Sequence, residues 1–215
     1  MRTTETDANV DLVLVRHGQS EWNAVRRWQG TADPPLTELG RDQAKAQAEW
    51  LAGLGDEWAG VWSSPLERAA HTAGIIADHL GLPAPLHDVR LEEAYAGEWE
   101  GMTPTEIERE WPGYLTRNDR PPSFEPDPVV RERAWSALAE IADAAVGRGS
   151  ALVVTHSGLM RRVSELHGYG EVAVPNLGGY RLASVRDGDG WRVTDLTVFE
   201  PLIASPARPH RTHVD

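Results

Sequence analysis

The sequence contains no cysteine, which excludes disulfide bonds and thiolate metal sites. No apolar run reaches the length of about 18 residues that a membrane-spanning helix needs, and the N-terminus lacks the apolar core of a signal peptide. Positive charge is also scarce, because 33 acidic residues against 21 basic ones give a formal net charge of −12. This balance argues against a nucleic acid or an anionic membrane as partner. We therefore expect a soluble cytoplasmic protein, and a small anionic ligand stays open because it needs only a local cluster of cations.

Strand and helix signals alternate along the 215 residues, which predicts an α/β class. No internal repeat of about 20 to 50 residues is visible, so a solenoid is not expected. Near the C-terminus, two strand-like segments at 182–185 and 191–198 flank the turn sequence DGDG. They predict a terminal β-hairpin.

Three positions have the residue types that start a helix. Thr37 precedes a helical pattern and is suited to be its N-cap. Ser64 with Glu67, and Thr103 with Glu106, have the three-residue spacing of a capping box. We therefore predict helices that begin directly after these three cap residues.

The most informative stretch is the nearly continuous apolar run at residues 10–15, which stops at Arg16, His17 and Gly18. Such a run is typical of a buried parallel strand. Open α/β sheets bind ligands just beyond the carboxyl ends of their strands, so this end is a candidate site. Since neighbouring strand residues point to opposite faces, we predict that His17 lies beyond the regular strand and that Gly18 provides a bend.

A second apolar run, at residues 151–155, repeats this pattern and is followed by His156, Ser157 and Gly158. If the two strands are parallel neighbours, both imidazoles reach one edge of the sheet. Arg68 would join them from the first turn of the helix that follows Ser64, where backbone N–H groups favour an anion. Converging arginines and histidines repel a metal ion but match the oxygens of a phosphoryl group. The competing interpretations are buried structural histidines and a surface arginine.

With these residues the chain resembles the histidine phosphatase superfamily, which has the phosphoglycerate mutase-like fold. Five segments match that family in its own order: RHGQSEWN (16–23), PLTELG (35–40), SSPLERA (63–69), EAYAGEWEG (93–101) and THSG (155–158). The resemblance implies a three-layer sandwich with a mostly parallel central sheet flanked by helices. We expect residues 1–215 to form one domain, with a small cap over the site at about 88–128 and a loose tail at 200–215.

The resemblance also implies phosphoryl transfer through a phosphohistidine, with His17 as the nucleophile. It requires no metal and no cofactor, and its substrate would be a small phosphorylated metabolite. The catalytic set implied is Arg16, His17, Arg68, Glu93 and His156. The substrate-binding set implied is Arg16, Asn23, Gly30, Arg68, His156 and Ser157.

The general acid is the least certain member, because Glu92 stands beside Glu93. The family's acid lies four residues before the first glycine of a G-x-x-x-G pair, here Gly97, which selects Glu93. The chain also departs from the family: it has SFEPDP (residues 123–128) where many phosphatase relatives have a Gly-Glu-Ser element. A contact on the substrate side is therefore expected to be absent or altered.

The same residues serve a phosphatase and a phosphoglycerate mutase. The segment at 101–128 is short for a mutase, and the family's mutases have Asn-Glu-Arg-His-Tyr-Gly around the acid, where this chain has Glu-Glu-Ala-Tyr-Ala-Gly. We therefore expect a phosphoric monoester hydrolase. The alternatives are mutase-type phosphoryl transfer and a non-catalytic module that binds phosphorylated ligands, and the oligomeric state stays open.

Overall fold

The structure is a computed structural model that describes residues 8–203. Its strands are β1 (Asn9–Arg16), β2 (Trp58–Ser63), β3 (Leu86–His87), β4 (Ser150–Thr155), β5 (Gly179–Asp187) and β6 (Gly190–Phe199). They form one sheet in the order β3-β2-β4-β1-β5-β6. The first four strands along this order are parallel, and β5 and β6 run antiparallel as the predicted hairpin. The loose tail expected at 200–215 lies mostly outside the described residues.

Helices cover both faces of this sheet and complete the expected three layers. They are α1 (Glu21–Ala24), α2 (Glu38–Gly53), α3 (Glu67–Leu80), α4 (Pro104–Glu110), α5 (Tyr114–Arg117), α6 (Asp127–Ala145) and α7 (Ser157–Leu166). Alternate residues of β1 enter different cores: Leu12 and Leu14 pack with α6 and α7, whereas Val13 and Val15 pack with α2 and α3. Among residues 8–203, no helix is long and apolar enough to cross a membrane.

Two of the three predicted helix starts are confirmed. The side-chain oxygen of Thr37 accepts a hydrogen bond from the N–H of Gly40, and Thr103 forms a capping box with Glu106. The start at Ser64 is wrong, because α3 begins at Glu67 and its N-cap is Leu66.

The cap of α3 comes from a distant loop instead. A carboxylate oxygen of Asp33 accepts a hydrogen bond from the N–H of Glu67 at 2.7 Å, while the Ser64 hydroxyl reaches only the N–H of Leu66. Asp33 thus satisfies one of the free N–H groups at the helix start and adds a negative charge where the helix dipole favours it.

The central pair of strands determines where the site lies. β1 and β4 are adjacent and parallel, with Arg16 opposite Thr155 in the last register position. Both strands therefore end at the same edge of the sheet. The residues that follow them, His17 and His156, are brought side by side, as the repeated sequence pattern predicts.

Candidate active site

His17 lies one residue past the end of β1, as predicted, and is almost fully buried. Its N–H donates to the carbonyl of Thr155 at 2.9 Å, which continues the pairing with β4 beyond the regular strand. Its ring Nδ1 lies 2.7 Å from the carbonyl oxygen of Gly18. Because a carbonyl only accepts, Nδ1 carries the proton and donates, and the lone pair is on Nε2.

The surroundings of His17 keep its imidazole neutral. Burial lowers the pKa of His17 well below its ordinary value, and the positive charges of Arg68 and Arg16 lower it further. The hydrogen bond to Gly18 opposes this shift. A neutral ring with a free Nε2 lone pair is the form that can act as a nucleophile.

Gly18 has a different role from the predicted bend. Its φ is not in the left-handed region, and its N–H donates to the hydroxyl of Thr72 at 3.0 Å. A Cβ at this position would lie 2.4 Å from the carbonyl oxygen of Gly40, and a Cβ on Gly40 would lie 2.1 Å from that of Gln19. These glycines are needed because the two backbones touch, which holds the loop after β1 against the start of α2.

Arg68, the second residue of α3, is completely buried. Its terminal nitrogens donate to the carbonyls of Ala32 at 2.7 Å and Gly30 at 2.9 Å. Its Nε has no hydrogen-bond partner among the described residues. Gly30 lines the cavity and also orients this guanidinium through its backbone, and its φ of 54° is one that glycine adopts readily.

His156 follows β4 directly, occupies the N-cap position of α7 and is fully buried. The centroids of its ring and the His17 ring are 5.1 Å apart. Neither ring nitrogen has a hydrogen-bond partner within residues 8–203, and burial, followed by the charge of Arg68, lowers its pKa well below the ordinary value. Buried polar atoms in native proteins are rarely left unpaired, so these nitrogens indicate a ligand or water position.

Arg16, the last residue of β1, is held by the segment between α7 and β5. Its side chain is almost fully buried and donates to the carbonyl of Val174 at 2.9 Å. Ser157, the first residue of α7, lines the same cavity as Arg16 and His17. The predicted cations and imidazoles are thus brought together at one sheet edge.

Glu93 lines the cavity, whereas Glu92 does not. The two carboxylate oxygens of Glu93 accept hydrogen bonds from the N–H of Gly158 and the N–H of Ala94, both at 2.9 Å. A Cβ on Gly158 would lie 2.5 Å from Glu93 Oε1, so the glycine after His156 leaves room for this carboxylate. Glu92 is not part of the cavity lining, and burial raises the pKa of its carboxyl group.

Sequence reasoning missed Arg133 on α6, which fixes the backbone on both sides of the two glutamates. Its guanidinium donates to the carbonyls of Arg90 at 2.8 Å, Glu92 at 2.7 Å and Glu93 at 3.2 Å. It also forms an ion pair with Glu125 at 2.8 Å. Glu125 belongs to the SFEPDP stretch, so that departure from the family supports the segment that carries Glu93.

Asn176 is a second residue that the sequence did not reveal. Its side-chain nitrogen donates to the carbonyl of His17 at 2.9 Å and to the side-chain oxygen of Asn23 at 3.1 Å. Asn23 also accepts from the N–H of Ser20 and closes the capping box of α1. Both asparagines line the cavity. No pattern could indicate Asn176, because it lies in an irregular segment between α7 and β5.

Most of these residues line a cavity of about 810 Å³, whereas His156 and Arg133 are not in its lining. The His156 ring instead packs beside the ring of the lining residue His17. The size of the cavity falls in the range of about 300–1,000 Å³ that small-molecule sites have. Segment 88–128 contributes part of its lining, including Ala96, Pro104, Leu115 and Phe124. The space is larger than a phosphoryl group alone requires, so it accommodates a leaving group as well.

The fold and the site define an α/β protein with a buried pocket of histidine and arginine side chains at the carboxyl edge of its sheet. The chain belongs to the histidine phosphatase superfamily (branch 1), whose sequence model matches residues 12–187. The family predicted from the five segments is therefore confirmed.

Similar proteins include both phosphatases and mutases. The chain is 45% identical over 102 residues to glucosyl-3-phosphoglycerate phosphatase of Mycolicibacterium vanbaalenii, covering 47% of this chain and 44% of that protein. It is 38% identical over 103 residues to 2,3-bisphosphoglycerate-dependent phosphoglycerate mutase of Methylorubrum extorquens, covering 46% of this chain and 48% of that protein. The matches thus span about half the length of these curated relatives.

Two further likenesses extend over more of the chain. Phosphoglycerate mutase-like protein 4 of Arabidopsis thaliana is 35% identical over 162 residues, covering 72% of this chain and 70% of that protein. The solved structure of a mycobacterial glucosyl-3-phosphoglycerate phosphatase with VO3 has a TM-score of 0.78 at 29% identity, and covers 89% of this chain and 99% of that chain. The phosphoglycerate mutase-like fold expected from the sequence is confirmed by this likeness.

Proposed function

We propose that this protein is a metal-independent phosphatase that hydrolyses a small phosphomonoester through a phosphohistidine on His17. The observation that carries this proposal is the hydrogen bond from Nδ1 of His17 to the carbonyl of Gly18, which leaves Nε2 as the nucleophilic atom. The lowered pKa of His17 supports it, because the ring stays neutral and reactive.

In the first step, Nε2 of His17 attacks phosphorus and the bond from phosphorus to the ester oxygen breaks. The leaving oxygen takes a proton from the carboxylic acid of Glu93 and departs as an alcohol. The phosphorylated ring is positively charged, and its Nδ1–H remains donated to Gly18. That hydrogen bond to a carbonyl dipole stabilises the charged intermediate.

In the second step, a water molecule attacks the phosphohistidine. The Glu93 carboxylate takes a proton from this water, the bond between phosphorus and nitrogen breaks, and inorganic phosphate leaves with neutral His17 restored. A positioned group of this kind contributes about 10²- to 10⁴-fold in rate. The hydrogen bonds that Glu93 accepts from Gly158 and Ala94 hold its carboxylate at the start of α7, next to His156 in sequence.

Arg16, Arg68 and His156 hold the phosphoryl oxygens during both steps. Their burial removes competing water, so each contact with the developing charge is stronger than in solution. Loss of one preorganised donor of this kind reduces kcat by about 10²- to 10³-fold. The unpartnered Arg68 Nε and the one ring nitrogen of neutral His156 that carries a proton are the atoms that we assign to these contacts.

We assign segment 88–128 to a cap over this pocket. It provides Glu93, and its aromatic side chains form a small cluster of their own, with Trp99 and Ile107 fully buried. The substrate is a small phosphorylated metabolite, as the names of the phosphatase relatives indicate for those proteins.

The test is release of phosphate from an aryl phosphate in the presence of a metal chelator. We expect turnover by the wild type, none by His17→Ala, and full activity in the matched control His79→Ala, whose side chain is exposed on α3. Rapid acid-free quenching with labelled substrate should trap a phosphate bound to nitrogen. No release from a broad panel of phosphomonoesters would refute the proposal.

Two outcomes would select the alternatives. Interconversion of 3- and 2-phosphoglycerate that depends on a bisphosphate primer, without net phosphate release, would select a mutase. Binding of phosphorylated ligands with neither activity would select a non-catalytic module.

A further inference from the structure

The carbonyl that accepts the Nδ1 proton of His17 belongs to the peptide group between Gly18 and Gln19. The N–H of this same peptide group is that of Gln19, and it donates to the side-chain oxygen of Gln43 at 3.0 Å. One peptide group therefore joins the two side chains. The imidazole of His17 donates to its oxygen, and its nitrogen donates to the amide of Gln43.

Gln43 lies in the second turn of α2 and is almost fully buried, as is Gln19. The side-chain nitrogen of Gln43 donates to the carbonyl of Ile203 at 3.3 Å, which leaves its amide oxygen directed at Gln19. Water is excluded from this contact. The strength of the hydrogen bond is therefore determined by the protein alone.

The backbone of Gln19 is fixed against the start of α2 on its other side as well. Its carbonyl accepts from the N–H of Thr37 at 2.9 Å. A Cβ on Gly40, one turn before Gln43, would lie 2.1 Å from that carbonyl oxygen and 2.9 Å from the nitrogen of Gln19. Held at both polar atoms, Gln19 cannot rotate freely, so the carbonyl of Gly18 keeps its direction.

Hydrogen bonds that share a peptide group strengthen one another. A peptide N–H that donates to an acceptor makes the carbonyl of the same group a better acceptor, because the group is polarised. The amide of Gln43 thus increases the pull of the Gly18 carbonyl on the Nδ1 proton of His17. That pull matters most when the ring is positively charged, as it is in the phosphorylated state described above.

We propose that Gln43 is a positioning residue for the nucleophile. Through the peptide group between Gly18 and Gln19, it holds His17 in the Nδ1–H form and strengthens the carbonyl that stabilises the phosphorylated ring. Gln43 is not part of the cavity lining and touches neither substrate nor reacting atoms. The inference rests on the proposed phosphatase function and adds a residue to its machinery.

The variant Gln43→Met tests this role, since methionine has the length of glutamine but only a weak sulfur acceptor. Partners that orient a histidine through its second nitrogen are worth about 10- to 100-fold in metal sites. Gln43 acts one peptide group further away, so we expect kcat/KM to fall by about 10-fold, the lower end of that range. The fall should be the same for aryl and alkyl phosphates, because the nucleophile and not the acid is affected.

Two variants accompany it. Gln43→Glu keeps an acceptor oxygen at the same place and should restore most of the wild-type kcat/KM. The matched control is Gln47→Met, one turn later on α2 and equally buried, whose side-chain atoms have no hydrogen-bond partner within residues 8–203. It removes a buried amide from the same helix and should keep the wild-type kcat/KM.

NMR of the enzyme with ¹⁵N-labelled histidine measures the same effect without turnover. The Nδ1–H signal of His17, assigned by its loss in His17→Ala, should move upfield in Gln43→Met, since a weaker hydrogen bond shields the proton. In Gln43→Glu it should stay at the wild-type position or move downfield, and in Gln47→Met it should not move. A merely structural role of Gln43 would leave this signal unchanged in the folded enzyme.

An unchanged signal in Gln43→Met, or an equal shift in Gln47→Met, would overturn the inference. If Gln43→Met does not fold, an upfield shift in Gln43→Glu would overturn it instead. Normal hydrolysis with an unchanged signal keeps the phosphatase and rejects the role of Gln43. The expected shifts in an enzyme that hydrolyses no phosphomonoester support the role of Gln43 in holding His17 and overturn the phosphatase.

Discussion

Replacing Gly158 with alanine tests whether the position of Glu93 limits the reaction. The added Cβ would lie 2.5 Å from Oε1 and 2.9 Å from Oε2 of Glu93. An ordinary contact between carbon and oxygen is about 3.3 Å, so the carboxylate must retreat by about 0.8 Å. Glu93 is the end of a flexible side chain and can move towards the cavity, so the change displaces the acid without breaking the fold.

The displacement should reduce kcat by about 10²-fold, because a misplacement of about 1 Å in a catalytic group has this effect. An alkyl phosphate should show the full loss, since its leaving alkoxide needs the proton. p-Nitrophenyl phosphate should lose less than about 10-fold in its first step, because its phenolate leaves without a proton. The free energy of unfolding should change by less than about 2 kcal/mol, as alanine favours the helix while one hydrogen bond weakens.

The matched control is Gly74→Ala in α3, where a Cβ would meet nothing within 4 Å. It should leave both activities unchanged and stabilise the protein by about 0.5–1 kcal/mol. The assay is steady-state kinetics on both esters, with kcat/KM reporting the first step alone and kcat both steps, together with urea unfolding of each variant. Wild-type kcat of Gly158→Ala on the alkyl ester would show that the acid–base assignment of Glu93 is mistaken.

Three further outcomes are expected. Glu93→Gln should lower kcat on an alkyl phosphate by about 10²-fold or more while Glu92→Gln keeps most of it; the reverse ranking would transfer the role to Glu92. Arg133→Lys should lower kcat by about 10-fold with little change in KM, because one ammonium cannot replace a fork that binds three carbonyls; a rise in KM alone would contradict a positioning role. The lowered pKa of His17 keeps its ring neutral down to lower pH, so kcat/KM plotted against pH should begin to fall only below pH 6.5. A fall that begins above this pH would refute the assignment of neutral His17 as the nucleophile.

The parts of the fold that were predictable are those coded by neighbouring residues. Thr103 and Glu106 are three residues apart, so their capping box is visible as a pattern and is formed. The start of α3 was not visible, because its capping carboxylate belongs to Asp33, 34 positions before Glu67. A hydrogen bond between distant residues has no local signature. The Ser64 pattern therefore predicts the wrong start for α3.

The candidate site shows the same division. His17 and His156 could be paired from sequence because each follows an apolar strand, and parallel strands end at one edge. Arg133 and Asn176 could not be found, since each contacts segments far away along the chain. Arginine and asparagine are common on protein surfaces, and only packing places these particular side chains against the site.

Local patterns of residues predict the α/β class, the order of the elements and the two strands that end in histidine, because periodic burial and strand ends are properties of short stretches. Packing establishes which nitrogen of His17 is free, which of two adjacent glutamates lines the cavity, and why Gly18 and Gly158 are glycines. Those properties depend on burial, on charge and on close approach of backbones. All three arise when residues remote in sequence are packed together.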